Sequence, residues 1–140
     1  MKKFLIVASV LCLCIAVYAK SQDDKFINAL RSCASYTDSG NVTTDGINAI
    51  STKVIAGWHD GKCAYKEAIN LNGAHVNIQC RFPKTAINEI TSVADAYYMT
   101  LQYSKEQPDT SSEAIKNNPL ANVFNKYLQD PSVCSINMQQ

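Results

Sequence analysis

The chain carries few of the patterns from which chemistry can be read. It has no Cys-x-x-Cys pair, which argues against a redox-active dithiol and against the common zinc sites. It has no Gly-x-Ser-x-Gly elbow, so a hydrolase built around that nucleophile is excluded. No run of Lys and Arg is present, and with it goes the electrostatic footprint that nucleic acid or anionic lipid requires. Internal repeats and low-complexity stretches are missing too. The spacer 105–112 is too short to separate two domains, so one domain is expected.

What is present begins at the N-terminus. Lys2 and Lys3 precede the uncharged stretch from Phe4 to Val17, and Val17-Tyr18-Ala19 places small residues at the two positions a signal peptidase reads. The apolar run stops short of the roughly 18–25 residues a membrane span needs. Cys12 and Cys14 follow Leu11 and Leu13, where a lipid-attachment box has a small residue. The pattern predicts a cleavable signal over 1–19, cut after Ala19, and a secreted or periplasmic protein with no stable membrane anchor. Without its first 19 residues the 140-residue chain keeps 121. Its 13 Lys and Arg fall to 11 against 12 Asp and Glu, a nearly neutral balance.

Four cysteines then remain, Cys33, Cys63, Cys80 and Cys134, an even number in a chain bound for an oxidising compartment. Two disulfides are expected. The segment 62–71 places Cys63, Tyr65, Ile69 and Leu71 on one face, and 75–82 places Val76, Ile78, Cys80 and Phe82 on one face. Asn72-Gly73 between them is the signature of a two-residue hairpin turn with positive φ at both positions. In that register Cys63 opposes Phe82 and Tyr65 opposes Cys80. The two cysteines are then diagonal, roughly 7 Å apart at Cβ, too far for a bond that wants about 3.5–4.5 Å. Each should therefore bond outside the hairpin, one to Cys33 and one to Cys134, in an order left open.

The remaining segments read as an α+β domain over 20–140. Ser21 and Asp24 approach a capping box for a helix over 22–34, and turn-forming residues follow at 35–40. Asn41 to Gly46 reads as a short edge strand or a loop. Ile50, Val54, Ala56 and Trp58 suggest a strand over 47–58, with Gly57 marking a bulge or an early end. His59-Asp60-Gly61 is the turn into 62–71, which completes a three-stranded antiparallel meander. Pro83 closes the sheet and suits the first turn of a helix running to about Ser104, with Ile87, Ile90, Val93, Ala94, Tyr97 and Leu101 on one stripe. Thr110 and Glu113 cap a short helix through Lys116. Asn118-Pro119 opens a last helix with Leu120, Val123, Phe124, Tyr127 and Leu128 at helical spacing. The expected architecture is an N-terminal helix, a three-stranded meander and a helical C-terminal half packed on one sheet face, held by two disulfides.

Candidate site residues are few. His59 and Asp60 could form half of an acid–base pair, although His-Asp-Gly is also an ordinary turn. Glu67 breaks the apolar face of its strand opposite Ile78, and such rule-breaking positions are sometimes functional. A rim carboxylate reaching water is the plainer reading. Trp58, His59, Asp60, Tyr65 and Glu67 are the residues nominated for a ligand or surface site. No catalytic residue, cofactor or metal is nominated. Asn41-Val42-Thr43 is a glycosylation sequon, meaningful in a eukaryotic source alone.

The N-terminal helix followed by Lys53-Val54-Ile55-Ala56-Gly57 and a meander resembles the cystatins, whose inhibitory hairpin carries Gln-x-Val-x-Gly. The resemblance covers five residues, with Lys53 in place of Gln and Ile55 in place of Val. It implies a protease-inhibiting hairpin at 54–58. The second, Pro-Trp-bearing hairpin of that family is missing, and the C-terminal third reads as helix, so the chain is not identified as a member. The expected function is that of an exported non-catalytic protein binding a protein, an envelope component or a small ligand. The alternatives are a small extracytoplasmic hydrolase-like enzyme and an inhibitor-like module.

Overall fold

A computed structural model of the chain describes residues 20–44, 47–104 and 117–139. The signal expected over 1–19 and the short helix expected at 110–116 lie outside these described residues. The elements in chain order are α1 (Lys20–Ser32), β1 (Tyr36–Thr44), β2 (Ile47–His59), β3 (Lys62–Leu71), β4 (Ala74–Pro83), α2 (Lys84–Ser104), α3 (Pro119–Leu128) and β5 (Cys134–Gln139). The five strands form one sheet in the order β1-β2-β3-β4-β5, with every neighbour antiparallel.

The β3–β4 hairpin has the register its sequence predicts. Leu71 faces Ala74, Ile69 faces Val76, Glu67 faces Ile78, Tyr65 faces Cys80 and Cys63 faces Phe82. Asn72 and Gly73 sit at φ +46° and +92°, the positive pair that a two-residue turn needs. Asp60 and Gly61 turn β2 into β3 in the same way, at φ +51° and +73°. The disulfides follow from this register. Cys63 bonds Cys33 at the end of α1, and Cys80 bonds Cys134 on β5.

Three expectations are corrected. The meander has five strands, because the turn-forming run at Tyr36–Gly40 continues as β1 and the C-terminal tail pairs as β5. Thr, Asp, Ser and Gly are poor strand formers alone, but here β2 supplies a complete ladder from Tyr36–Ile55 to Thr44–Ile47. The tail is drawn in by Cys134, which stands directly across from Cys80. Pro83 closes the sheet as expected, as the last residue of β4 facing Lys62, but it does not enter the first turn of α2, which starts one residue later.

The third correction concerns which face of β2 is buried. Ile50 is 53% exposed, while Ala49, Ser51, Lys53 and Ile55 are buried. Pairing with β3 dictates this choice, since Tyr65, Glu67 and Ile69 face the core and their partners must share that face. A bulge at Ala56 then changes the phase: Ile55 opposes Tyr65, but Gly57 opposes Ala64 and Trp58 opposes Cys63. Gly57 takes φ +102° there, a conformation that side-chain-bearing residues avoid.

The three helices among the described residues all lie on the inner face, which gives a two-layer arrangement. Phe26, Ile27 and Leu30 of α1, Ile87 and Ile90 of α2, and Leu120, Phe124 and Leu128 of α3 are buried against Tyr65, Ile69, Ile78 and Phe82 of the sheet. Each such side chain contributes about 1.5–3 kcal/mol by leaving water. Asn118 caps α3, its side-chain oxygen accepting from Leu120 N at 2.9 Å and Ala121 N at 3.2 Å. The end of α1 is secured three times over. Cys33 (φ +53°) and Ala34 close it by donating to Leu30 O and Ala29 O, the Trp58 indole donates to Ser32 O at 3.1 Å, and Cys33 is bonded to Cys63. Among the described residues no helix is long and apolar enough to cross a membrane.

Candidate functional site

The sheet register lays one charged row across the inner face. Asp38 of β1 faces Lys53 of β2, Lys53 faces Glu67 of β3, and the row continues through Ile78 to Ile136. Lys53 is 3% exposed and Glu67 is 2% exposed. A buried charge is costly unless its polar atoms are satisfied, and the neighbouring rows supply the partners. Ser51 Oγ donates to Glu67 Oε1 at 2.6 Å, and the Tyr65 hydroxyl donates to Glu67 Oε2 at 2.8 Å. Lys53 Nζ lies 5.1 Å from the centroid of the Phe26 ring on α1, within cation–π range. Both carboxylate oxygens of Glu67 are thus engaged inside the core, so the rim carboxylate reaching water is not what forms. The cluster ties β2, β3 and α1 together through polar atoms that match in this register alone.

Of the residues nominated from sequence, the structure joins Tyr65 to Glu67 and leaves the others apart. Trp58 faces the end of α1. His59 and Asp60 form the exposed β2–β3 turn, where Arg81 Nη2 lies 3.3 Å from His59 O and 3.4 Å from Asp60 Oδ2. Five residue steps along β3 lead from Lys62, next to that turn, to Glu67, a distance of roughly 16 Å. The segment 54–58, which the cystatin resemblance would make a projecting wedge, lies within β2, where Val54 and Ile55 are paired on both sides. Asp38, Ser51 and Lys53 were not nominated. Lys53 meets Glu67 only because the bulge at Ala56 shifts the β2–β3 pairing by one residue, which turn chemistry alone does not reveal.

The outer face of the sheet is open to solvent. Thr37, Ser39, Thr52, Asn77, Gln79 and Asn137 bring hydroxyls and amides to it, Lys62, Lys66 and Arg81 bring positive charge, and Ser39 and Thr52 hydroxyls meet at 2.8 Å. A shallow groove of about 260 Å³ crosses it between Thr52, Val54, Lys66, Ala68, Asn77 and Gln79. Glu67 and Ile78 floor that groove with main chain, since their side chains point to the opposite face. Among the described residues no group of three His, Cys, Asp or Glu is placed to hold a metal ion.

A third polar constellation joins α2 to α3. Glu89 accepts from the Tyr127 hydroxyl and from Lys126 Nζ, the latter at 2.9 and 3.0 Å. The Tyr127 hydrogen bond first, and Lys126 second, hold the Glu89 carboxyl below the usual glutamate range. Burial, helped by the bond to Glu89, pushes the Tyr127 phenol up. The arrangement clamps two helices.

Compared with known proteins, the chain matches no family model, and neither a curated protein nor a solved structure is significantly similar to it.

Proposed function

We propose that this chain is exported and acts without catalysis, binding a protein partner through the outer face of its sheet. The observation that carries the reading is the contrast between the two faces. The inner face is covered by the three described helices, and its ionisable groups serve the core. The outer face spans five strands, is held rigid by two disulfides, and presents hydroxyls, amides and three basic side chains.

The groove favours a protein over a small molecule. Small-ligand sites are concave cavities of about 300–1,000 Å³ that enclose most of the ligand, whereas a shallow 260 Å³ depression suits a surface lying across it. With Lys62, Lys66 and Arg81 as the charges on the strands of this face, the matching surface is polar and mildly acidic. Export fits the paired cysteines, which persist in oxidising compartments, and the signal-like pattern at 1–19; the periplasm or the medium is the proposed location.

The test is affinity capture from the native envelope or medium with the disulfide-intact protein, run beside a Lys66→Glu, Asn77→Glu variant. A specific partner should be retained by the parent protein and lost from the variant, whose core is untouched. Equal retention by both would place the binding surface elsewhere.

A further inference from the structure

An open sheet has two edges, and here they differ. Natural edge strands avoid pairing with other chains through charges, proline, bulges or inward-pointing ionisable groups. β1 carries such a device, the inward-facing Asp38. β5 carries none: Cys-Ser-Ile-Asn-Met-Gln has no charge and no proline, and its ladder to β4 is unbroken from Cys134 to Gln139.

The direction of its free hydrogen-bonding groups follows from the ladder. Arg81 N donates to Val133 O at 2.8 Å, so residue 133 turns its carbonyl toward β4, while its N–H donates to Asp130 O. Alternation then turns Ser135 and Asn137 toward β4, and Ile136 and Met138 outward. Cys134 agrees, because its N–H is turned from β4 and donates to Asp130 O. Ile136 and Met138 therefore present N–H and C=O groups along the edge that no described strand pairs with. Their side chains share the helix-covered face, where Ile136 is half-buried and Met138 is 40% exposed.

We propose that β5 is a self-association edge, at which two copies of this chain pair their β5 strands antiparallel about a two-fold axis through Asn137. In that register Ile136 of one copy faces Met138 of the other, twice. Outward groups meet outward groups and close four main-chain hydrogen bonds. The exposed Met138 side chain is covered by Ile136 of the second copy, and the two Asn137 side chains meet on the outer face. No charge in either strand opposes the approach. A single strand pair is a small interface, so the dimer forms reversibly with concentration. It yields one ten-stranded sheet with the described helices of both copies on the same side.

Sedimentation equilibrium of the disulfide-intact protein over a wide concentration range tests this, with three variants. Met138→Pro removes an outward N–H without touching the β4 ladder. Asn137→Lys sets two positive charges against each other at the axis. Asn137→Cys should yield, on mild oxidation, a dimer linked 137 to 137, because directly opposed non-hydrogen-bonded positions are the ones Cys80 and Cys134 already bridge. The expected result is a monomer–dimer equilibrium in the parent, monomer with both native disulfides intact in the first two variants, and the symmetric cross-link in the third. A parent that stays monomeric overturns the proposal. So does a dimer that survives both Met138→Pro and Asn137→Lys, growth into higher oligomers through the β1 edge, or equally efficient cross-linking of Ser135→Cys, whose mate in this register is Gln139.

Discussion

Lys53 of β2 stands directly opposite Glu67 of β3, and both side chains point into the core. A two-layer domain of this size can bury apolar residues at such positions with less cost, so a positive and a negative side chain in one buried row is a demanding solution. Its effect is specificity. A slip of one residue between β2 and β3 would turn one charge outward and leave the other facing hydrocarbon, so the paired register is favoured over its neighbours by the penalty on every alternative.

Replacing Glu67 with Leu removes the acceptor used by Ser51 and Tyr65 and the charge facing Lys53. The expected loss is about 3–5 kcal/mol, the usual cost of breaking a buried charged arrangement from one side. Glu67→Gln should cost less, because the amide keeps one acceptor oxygen. Urea denaturation of the disulfide-intact variants measures both, and equal losses for the two would mean that the charge itself contributes little.

The α2–α3 clamp should make stability fall in acid. A carboxyl whose folded pKa lies below its unfolded one contributes stability above the unfolded pKa and loses it as pH falls through the folded pKa. Glu89 is lowered, by the Tyr127 hydroxyl first and by Lys126 second. Its contribution is complete at neutral pH and disappears below the ordinary glutamate range. Denaturation curves from neutral pH down to about pH 3 should show a shallower acid decline for Glu89→Gln than for the parent. Parallel declines would remove Glu89 from the account.

The two disulfides close loops of different length, with sequence separations of 30 and 54 residues. By the loop-entropy relation their removal should cost about 3.5 kcal/mol for Cys33→Ala, Cys63→Ala and about 4 kcal/mol for Cys80→Ala, Cys134→Ala. The first pair should also loosen the end of α1, visible as faster amide exchange at positions 33 and 34 relative to α3. Unchanged exchange there would show that the Trp58 bond and the helix-closing hydrogen bonds suffice.

Gly57 sits at φ +102° in the bulge that brings Lys53 opposite Glu67. A Cβ there would meet Cys33 O at 3.9 Å, an ordinary contact, so the cost of Gly57→Ala is conformational. About 1–2 kcal/mol is expected, and more for Gly57→Val, whose branched side chain tolerates positive φ less well. Thermal unfolding of the two variants checks the order.

Several elements were legible before any coordinates. Asn72-Gly73 and the alternation on either side define the β3–β4 hairpin down to its register, and that register alone excludes a Cys63–Cys80 bridge. α2 and α3 follow from apolar stripes and from Asn118-Pro119. β5 was not legible, and β1 only in part, as the edge strand or loop read at 41–46, because polar residues such as Thr37, Ser39 and Asn137 become strand only when a neighbour supplies their hydrogen bonds. The apolar choice of Ile50, Val54 and Ala56 misled because β2 buries Ser51 and Lys53 in their place. Of the polar cluster, Glu67 was visible as an exception to the pattern, while its partners Ser51 and Lys53 lie one bulge away.

By itself the sequence determined what is local: the two tight turns, the Asn118 cap of α3, the periodicities, and an even set of cysteines too far apart within the hairpin to bond there. The tertiary structure decided what is shared between segments: the number of strands, the buried face of β2, which cysteine joins which, and the burial of Lys53 and Glu67 in one row. The physical reason is that a turn or a helix draws its hydrogen bonds from residues a few positions away. A strand draws them from a neighbour, and a bulge of one residue is enough to change which side chains meet.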